Sequence, residues 1–238
     1  MLDLYLIADP HYAKATANRS HFLKTIEKAI QGGITLVQLR YKGVSSKDFI
    51  NFGLKLRKLT NQYGIPLIVN DRVDIALAVA ADGVHLGQDD MPVSVARRLL
   101  DRHSGEYQRL QNRFWTSQND SFSSIIGASV KTVEQAKKAQ RDGADYLGVG
   151  PIFATQSKAD AGKPIGLKRL TRIVKSVDIP VVGIGGITAS NAASLLQAGA
   201  SGIAVISAIM GAKDPEKEAK ELYEQIRSTK SEIRNKYK

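Results

Sequence analysis

The sequence has no cysteine, a single tryptophan and only 7 prolines among its 238 residues. Without cysteine the chain can form neither a disulfide framework nor a thiolate metal site, and it cannot use a cysteine nucleophile. Hydrophobic residues make up 43% of the chain and charged residues 24%, which excludes a disordered, collagen-like or low-complexity protein. These absences leave a globular protein with a sizeable core.

Long apolar runs are also missing. The longest stretches, such as Ile75–Ala81, are too short to cross a bilayer. The amino terminus carries Asp3 and Asp9 and lacks the basic segment of a signal peptide. We therefore expect a cytoplasmic protein that does not associate with a membrane.

The charge balance is basic, with 34 Lys and Arg against 23 Asp and Glu and a formal net charge of +11. Such a charge suits nucleic acid, because Lys and Arg neutralise phosphate groups. The basic residues are nevertheless spread through helical patterns, and none forms a block interleaved with aromatic residues. We expect no nucleic-acid partner, whereas an anionic small molecule is compatible with the charge. The basic segment 228–238 continues a helical pattern and is expected to be a solvated or frayed tail.

Short β-rich apolar runs alternate with amphipathic helical segments along the whole chain. Seven predicted helices separate the strands, and an eighth begins near Pro215. The predicted strands are Leu4–Ala8, Thr35–Leu39, Leu67–Asn70, Gly83–Leu86, Ile125–Ala128, Tyr146–Val149, Val181–Ile184 and Gly202–Ile206. Eight strand–helix units predict an α/β protein with a (β/α)8 TIM barrel, as a single domain over residues 1–238. A doubly wound open sheet is the alternative, but residues 9–19 lack the glycines that usually follow its first strand.

One connection is too long for this pattern. Residues 102–124 separate the fourth helix from the fifth strand, where about 2–6 residues are usual. The segment is polar and contains the only tryptophan, Trp115. We interpret it as an insertion at the amino-terminal side of the barrel. An extra short element, or a contact in a homo-oligomer, is the alternative.

Polar residues follow the second strand of the predicted barrel. In this fold the active site lies at the carboxyl ends of the strands. Period-two alternation places Gln38, Arg40 and Lys42 on one face of the second strand, with apolar residues on the other. Three polar groups at one strand end are typical of an anion clamp.

Acidic residues follow the third and fourth strands. Asp71 follows the third strand, while Asp89 and Asp90 follow the fourth. Carboxylates from neighbouring strand ends suit Mg²⁺, which prefers hard oxygen ligands and keeps room for water and phosphate oxygens. Each acid could instead cap the helix that follows it. His85, within the fourth strand, is expected to be a packed and hydrogen-bonded residue rather than a metal ligand or a base.

The loops after the last three strands could bind a second anion. The loop after the sixth strand carries Thr155, Ser157 and Lys158, which could close over a phosphate. Gly185 and Gly186 follow the seventh strand, and the loops after strands seven and eight recurrently bind phosphate in such barrels. The residues alone therefore predict a barrel that holds two anionic groups, one of them near an Mg²⁺ site.

Taken together, these segments resemble the thiamine-phosphate synthase family over almost the whole chain. The resemblance is carried by Gln38–Lys42, Asn70–Asp74, Gly83–Asp90, Gly148–Phe153, Thr155–Lys158 and Gly183–Ile187. It implies a transferase that joins a hydroxymethylpyrimidine diphosphate to a thiazole phosphate and releases diphosphate in the presence of Mg²⁺. A thiazole tautomerase-like enzyme, or another phosphate-binding TIM-barrel enzyme, is the alternative.

The resemblance also implies roles for single residues. The diphosphate would be bound by Gln38, Arg40, Lys42, Asn70 and Lys158. Mg²⁺ would be held by Asp71 and Asp90, and Ser129 would contact the pyrimidine. The thiazole phosphate would be held by Thr155, Ser157, Gly186, Ile206 and Ser207. Lys158, Arg40 and Ser129 would be the catalytic residues.

The family's chemistry requires charge stabilisation rather than a protein nucleophile. In this family the C–O bond breaks before the thiazole nitrogen attacks, so that negative charge develops on the departing diphosphate. Arg, Lys and Mg²⁺ stabilise such charge. Tyr41, Ala154 and Ser157 depart from the family's usual acid, proline and threonine, and these changes leave the diphosphate-binding set intact.

Overall fold

The computed structural model describes residues 2–10, 19–102, 124–157 and 162–236. Its strands are β1 (Leu4–Ala8), β2 (Leu36–Leu39), β3 (Leu67–Asn70), β4 (Gly83–Leu86), β5 (Ile125–Val130), β6 (Tyr146–Val149), β7 (Val181–Ile184) and β8 (Gly202–Val205). Its helices are α1 (Arg19–Gln31), α2 (Ser46–Gln62), α3 (Val73–Ala78), α4 (Val93–Arg102), α5 (Val133–Arg141), α6 (Gly166–Val174), α7 (Ala189–Gln197), α8 (Ser207–Met210) and α9 (Pro215–Lys236).

The eight strands form one closed parallel sheet. Each strand pairs with the next in chain order, and β8 pairs with β1, with Leu4 opposite Ile203 and Leu6 opposite Val205. This closure confirms the predicted TIM barrel, and the doubly wound alternative is wrong. All eight carboxyl ends consequently open on the same mouth.

Alternation along each strand divides the core into two layers. The outer layer lies between the strands and the helices, and it includes Val37 and Leu39 of β2. The inner layer fills the barrel with Tyr5, Ile7, Leu36, Ile68, Tyr146, Val182, Ala204 and Ile206. Two tyrosines in an otherwise aliphatic interior bring hydroxyl groups beneath the mouth.

The carboxyl ends of two strands differ from the sequence prediction, and both differences affect the mouth. β5 continues to Val130, so that Ser129 is a strand residue with its neighbours fixed by the ladder to β6. β8 ends at Val205, because Ile206 leaves the extended conformation (φ −119°, ψ −83°) and precedes the four-residue helix α8. Ser207 is therefore the first residue of a short helix that begins directly after the strand end.

The segments outside the regular pattern are described in part. Residues 103–123, within the predicted 102–124 insertion, lie outside the described residues, as do 237–238. Residues 228–236 of the predicted basic tail continue α9. One side of this segment is solvated as expected, but Thr229 is buried and Lys230 pairs with Asp3 and donates to the Ser201 carbonyl at 2.5 Å. Within the described part of the chain, no helix is both long and apolar enough to cross a membrane.

Candidate active site

A cavity of about 1030 Å³ opens at the carboxyl ends of the strands. Most of the predicted site residues line it, namely Arg40, Lys42, Asn70, Asp71, Asp90, Ser129, Thr155, Ser157, Gly186, Ile206 and Ser207. Lys158 lies outside the described residues. Gln38 is in the barrel below, only 1% exposed, where its amide donates to the Tyr5 hydroxyl.

An acidic pair forms one end of the cavity. The carboxyl groups of Asp71 and Asp90 lie within hydrogen-bonding distance of each other, and the Lys42 Nζ is 3.3 Å from Asp71. Burial is the largest effect that raises the pKa of Asp71, and the neighbouring Asp90 carboxyl raises it further. Lys42 lowers this pKa by a smaller amount. Two carboxylates this close favour a bound cation, because ionising both without one is costly.

The backbone holds these two acids away from helix caps. Asp71 adopts a positive φ of 64°, and its N–H donates to the His85 carbonyl at 2.9 Å. The N-cap of α3 is Arg72, which makes no side-chain cap hydrogen bond, so Asp71 is not the N-cap residue and its helix-cap hypothesis is wrong. Asp90 instead accepts from the Gly87 N–H at 2.6 Å, which closes the turn after β4.

A buried ion pair fixes the arginine of the same end. Arg40 pairs with Asp9, whose side chain is fully buried just after β1. The Arg40 N–H also donates to the Ala8 carbonyl at 3.1 Å, which continues the β1–β2 ladder past the strand ends. The guanidinium is therefore held between two strand ends at the edge of the cavity.

Glycines and hydroxyl groups form the opposite end. Gly185 and Gly186 have φ values of 98° and 66°, and a Cβ on Gly186 would lie 2.4 Å from the Ala154 carbonyl oxygen. The Ser157 and Ser207 hydroxyls lie 2.7 Å apart, which joins the β6 loop to the start of α8. Exposed hydroxyls and closely packed backbone are the groups that bind a phosphate in this part of a TIM barrel.

The floor between the two ends contains His85 and Ser129. His85 is 7% exposed; its Nε2 lies 2.9 Å from the Ser129 Oγ and its Nδ1 lies 2.9 Å from the Tyr146 hydroxyl. The prediction that His85 is a packed, hydrogen-bonded strand residue is confirmed. Gln88 donates to the Ser129 carbonyl at 2.6 Å and fixes the same strand end.

Several residues of the site were not predicted from the sequence. Asp9 and Lys131 each follow a strand, as the predicted residues do, and that position is a signal that could have identified them. Tyr5 and Tyr146 carry no such signal. Their spacing within apolar strands is that of ordinary core residues, and only the closed barrel brings their hydroxyls together.

Comparisons with known proteins agree with this geometry. The thiamine monophosphate synthase family matches residues 4–104 and 118–209 of the chain. The chain belongs to this family. It is therefore a transferase, and the family assignment agrees with the resemblance noted in the sequence.

Individual relatives of the thiamine monophosphate synthase family extend the match over nearly the whole chain. A thiamine-phosphate synthase of Chloroflexus aurantiacus is 48% identical over 219 residues, which cover 92% of this chain and 90% of the relative. A thiamine-phosphate synthase of Methanobrevibacter smithii is 43% identical over 230 residues, which cover 97% of this chain and 98% of the relative. The solved thiamine phosphate pyrophosphorylase of Pyrococcus furiosus has a TM-score of 0.79 and 40% identity, with 96% of each chain covered. These comparisons give no support to the tautomerase alternative.

We expect Gly186→Ala to weaken the binding of inorganic phosphate about tenfold, the value of one charge-assisted hydrogen bond. The added Cβ would press on the Ala154 carbonyl and displace the loop that faces the phosphate end. Isothermal calorimetry with inorganic phosphate measures the change.

The matched control is Gly64→Ala. Gly64 has a φ of 64°, nearly that of Gly186, but no atom lies within 4 Å of its added Cβ. Its substitution should cost only the backbone strain, about 1–2 kcal/mol of unfolding free energy, with unchanged phosphate binding. Equal phosphate affinity in the two variants would contradict the assignment of Gly186.

Proposed function

We propose that the cavity binds the two substrates of a thiamine-phosphate synthase side by side, the pyrimidine diphosphate at the acidic and basic end and the thiazole phosphate at the glycine end. The observation that carries the proposal is that one cavity joins two ends suited to different anions. One end contains Arg40, Lys42 and the Asp71–Asp90 pair, whereas the other contains Gly186 and the Ser157–Ser207 contact. Side-by-side binding replaces a rare bimolecular encounter with reaction between neighbours.

The diphosphate would be bound by a set of cationic and amide groups. Arg40, held by Asp9, would present its remaining N–H groups, and Asn70, at the end of β3, would donate its amide. Lys42 is half exposed and would turn from Asp71 to the incoming diphosphate. The resemblance adds Lys158 to this set. It also names Gln38, but the Gln38 side chain is 1% exposed below the cavity and donates to the Tyr5 hydroxyl. Charge-assisted bonds of this kind strengthen as negative charge grows on the leaving group.

Asp71 and Asp90 would hold Mg²⁺. Their adjacent carboxylates fit a hard divalent cation, since both can ionise fully only beside positive charge. Among the described residues no cluster of three or more His, Cys, Asp or Glu forms a complete metal cage. Mg²⁺ in proteins usually takes one or two carboxylates and keeps its remaining ligands from water and substrate phosphates, which is the ligand number that this pair supplies. Bound there, Mg²⁺ would neutralise charge on the departing diphosphate.

The pyrimidine and the thiazole would meet above the barrel floor. Ser129, oriented by His85, would contact the pyrimidine. Thr155, Ser157, Gly186, Ile206 and Ser207 would hold the thiazole phosphate. The thiazole nitrogen would then attack the pyrimidine carbon after the C–O bond has broken, so that no protein nucleophile is used. The Ser129–His85 contact is not part of a catalytic triad, because Nδ1 of His85 meets the neutral hydroxyl of Tyr146.

A coupled assay tests this function. The protein is incubated with both substrates, with and without Mg²⁺, and thiamine phosphate and diphosphate are quantified by chromatography. We expect both products in equal amounts, and only with Mg²⁺ present. Diphosphate release without thiamine phosphate, or rearrangement of the thiazole alone, would contradict the proposal. The cytoplasmic location and the peripheral role of the 102–124 insertion stay predictions from the sequence, and a homo-oligomer contact stays the alternative interpretation of that insertion.

We expect Asp71→Asn to raise the Mg²⁺ concentration needed for half-maximal rate by on the order of tenfold or more, because an amide is a poorer ligand for Mg²⁺. Asparagine tolerates the positive φ of this position, so the backbone is retained. Asp89→Asn removes the same charge from the neighbouring loop and should leave the Mg²⁺ requirement unchanged. A wild-type requirement in Asp71→Asn would remove this acid from the metal site.

The same variant should be more stable than the wild-type protein when Mg²⁺ is absent. The raised pKa of Asp71 means that its neutral form favours folding below the ordinary pKa, and that this stability is lost as the pH rises through the raised value. An uncharged Asn avoids the loss. Scanning calorimetry in a chelator should give a higher Tm for Asp71→Asn at neutral pH, with the difference shrinking toward acid pH.

We expect Lys158→Ala to lower kcat by about 10²–10³, the usual effect of removing one group that stabilises transition-state charge. Lys163→Ala is the control, since Lys163 is exposed a few residues further along the same connection. Single-turnover measurements separate the chemical step from product release. A wild-type rate in Lys158→Ala would exclude this lysine from the mechanism.

A further inference from the structure

A continuous chain of hydrogen bonds crosses the barrel beneath the cavity. The Ser129 Oγ lies 2.9 Å from the His85 Nε2, and the His85 Nδ1 lies 2.9 Å from the Tyr146 hydroxyl. The Tyr146 hydroxyl is 2.8 Å from the Tyr5 hydroxyl, which in turn accepts from the Gln38 amide. We call these five residues the polar relay. It joins strands β5, β4, β6, β1 and β2 through the interior.

The barrel is built to accommodate the polar relay. A Cβ on Gly127 would lie 2.4 Å from both the Tyr146 hydroxyl and the His85 Nδ1, so that only glycine permits their contact. Tyr5 and Tyr146 are 2% and 1% exposed, which keeps water from competing for their hydroxyls. Burial, as the largest effect, raises the pKa of both tyrosines, so that each keeps its hydrogen at neutral pH.

Counting hydrogens gives the polar relay a direction. Each tyrosine hydroxyl has a single hydrogen to donate. Because the Gln38 Nε2 donates to Tyr5, the Tyr5 hydrogen is available to Tyr146, and the Tyr146 hydrogen is available to the His85 Nδ1. A neutral His85 that accepts at Nδ1 carries its hydrogen on Nε2 and donates it to Ser129.

The two ends of the polar relay consequently have opposite character. The Gln38 Oε1 is buried and has no hydrogen-bond partner among the described residues. With the His85 hydrogen on Nε2, Ser129 accepts from His85, so its own hydroxyl hydrogen is not needed within the relay and can be donated to a ligand. A half-buried donor directed in this way favours a ligand with an acceptor atom and penalises one without it.

We propose that Tyr5 and Tyr146 are positioning residues that fix the direction of the polar relay, so that Ser129 donates its hydroxyl hydrogen to a ring nitrogen of the bound pyrimidine. The inference rests on the proposed function for the identity of the ring. It adds two residues that never touch the substrate, and it assigns them control over which heterocycle the site accepts.

Histidine NMR tests the direction without any substrate. The ¹⁵N spectrum of the whole protein should show a neutral His85 with hydrogen on Nε2 and an unprotonated Nδ1 at neutral pH. The signal is assigned by its loss in His85→Gln. In Tyr146→Phe the Nδ1 loses its donor, and its ¹⁵N resonance should shift. Hydrogen on Nδ1 in the wild-type protein would overturn the proposal.

Calorimetry with ring analogues tests the consequence for binding. Two analogues of the pyrimidine diphosphate, each with one ring nitrogen replaced by C–H, are compared with the parent compound. The wild-type protein should bind one analogue at least about tenfold more weakly. Tyr146→Phe should bind the parent compound and that analogue with similar affinity. Its affinity for thiazole phosphate should stay within about twofold of the wild-type value. Tyr5→Phe breaks the relay one step further from Ser129 and should give the same change at smaller size.

The control is Tyr63→Phe. The Tyr63 hydroxyl also has two partners, the Gln31 Nε2 at 3.1 Å and the Glu27 Oε1 at 3.0 Å, but it lies on the outer surface. Its loss should alter neither the NMR signal nor any affinity. If Tyr146→Phe does not fold, Tyr5→Phe decides. The proposal would be overturned if the folded variants still distinguished the parent compound from the analogues as the wild-type protein does. It would also be overturned if the variants bound every ligand more weakly by the same factor. Product formation by the wild-type protein is judged separately, so a failed relay and a failed function give different results.

Discussion

Pairing of β8 with β1 closes the sheet, and the geometry of the mouth depends on that closure. A closed parallel barrel directs the carboxyl end of every strand to one side. Pairing of β1 with β2 brings Asp9 against Arg40, and the succession of β6, β7 and β8 brings Ser157 against Ser207. Closure places both contacts around one mouth. An open sheet would leave β1 and β8 at distant edges, with the two anion-binding ends apart.

At and directly below the mouth, several residues adopt conformations or contacts that are unfavourable for folding. Asp71 adopts a left-handed backbone conformation, and its carboxyl lies against that of Asp90. Gln38 buries an amide oxygen without a partner in the described structure. Each feature opposes folding, and such conflicts concentrate where ligands bind. A bound cation would offset the repulsion between the Asp71 and Asp90 carboxyl groups. Burial of the apolar core supplies the folding free energy that allows both features.

Much of the fold and part of the site followed from local patterns. The alternation of apolar strands and amphipathic helices predicted eight strands and their order, because burial on both faces of a parallel sheet leaves a clear pattern. Polar residues directly after strands, such as Arg40 and Asp71, predicted the position of the mouth. Strand bounds were accurate to within two residues, and the largest difference lay at β5.

Other features could not be predicted, because they arise only from tertiary contact. Tyr5 and Tyr146 are separated by 141 positions and have the spacing of core residues, so that their shared hydrogen bond is invisible in the sequence. Gln38 has the alternation of a cavity residue, yet its side chain lies in the layer below. The α8 helix is too short to leave a periodic pattern, since four residues complete barely one turn.

In the proposed function, one cavity holds two anionic groups at the same time. Calorimetric titration of thiazole phosphate into the protein, with and without saturating inorganic diphosphate and Mg²⁺, tests it most directly. We expect one site for thiazole phosphate in both titrations, with an affinity that diphosphate leaves unchanged or increases. Loss of thiazole phosphate binding when diphosphate and Mg²⁺ are present would show that the two compete for a single anion site, and would contradict the account.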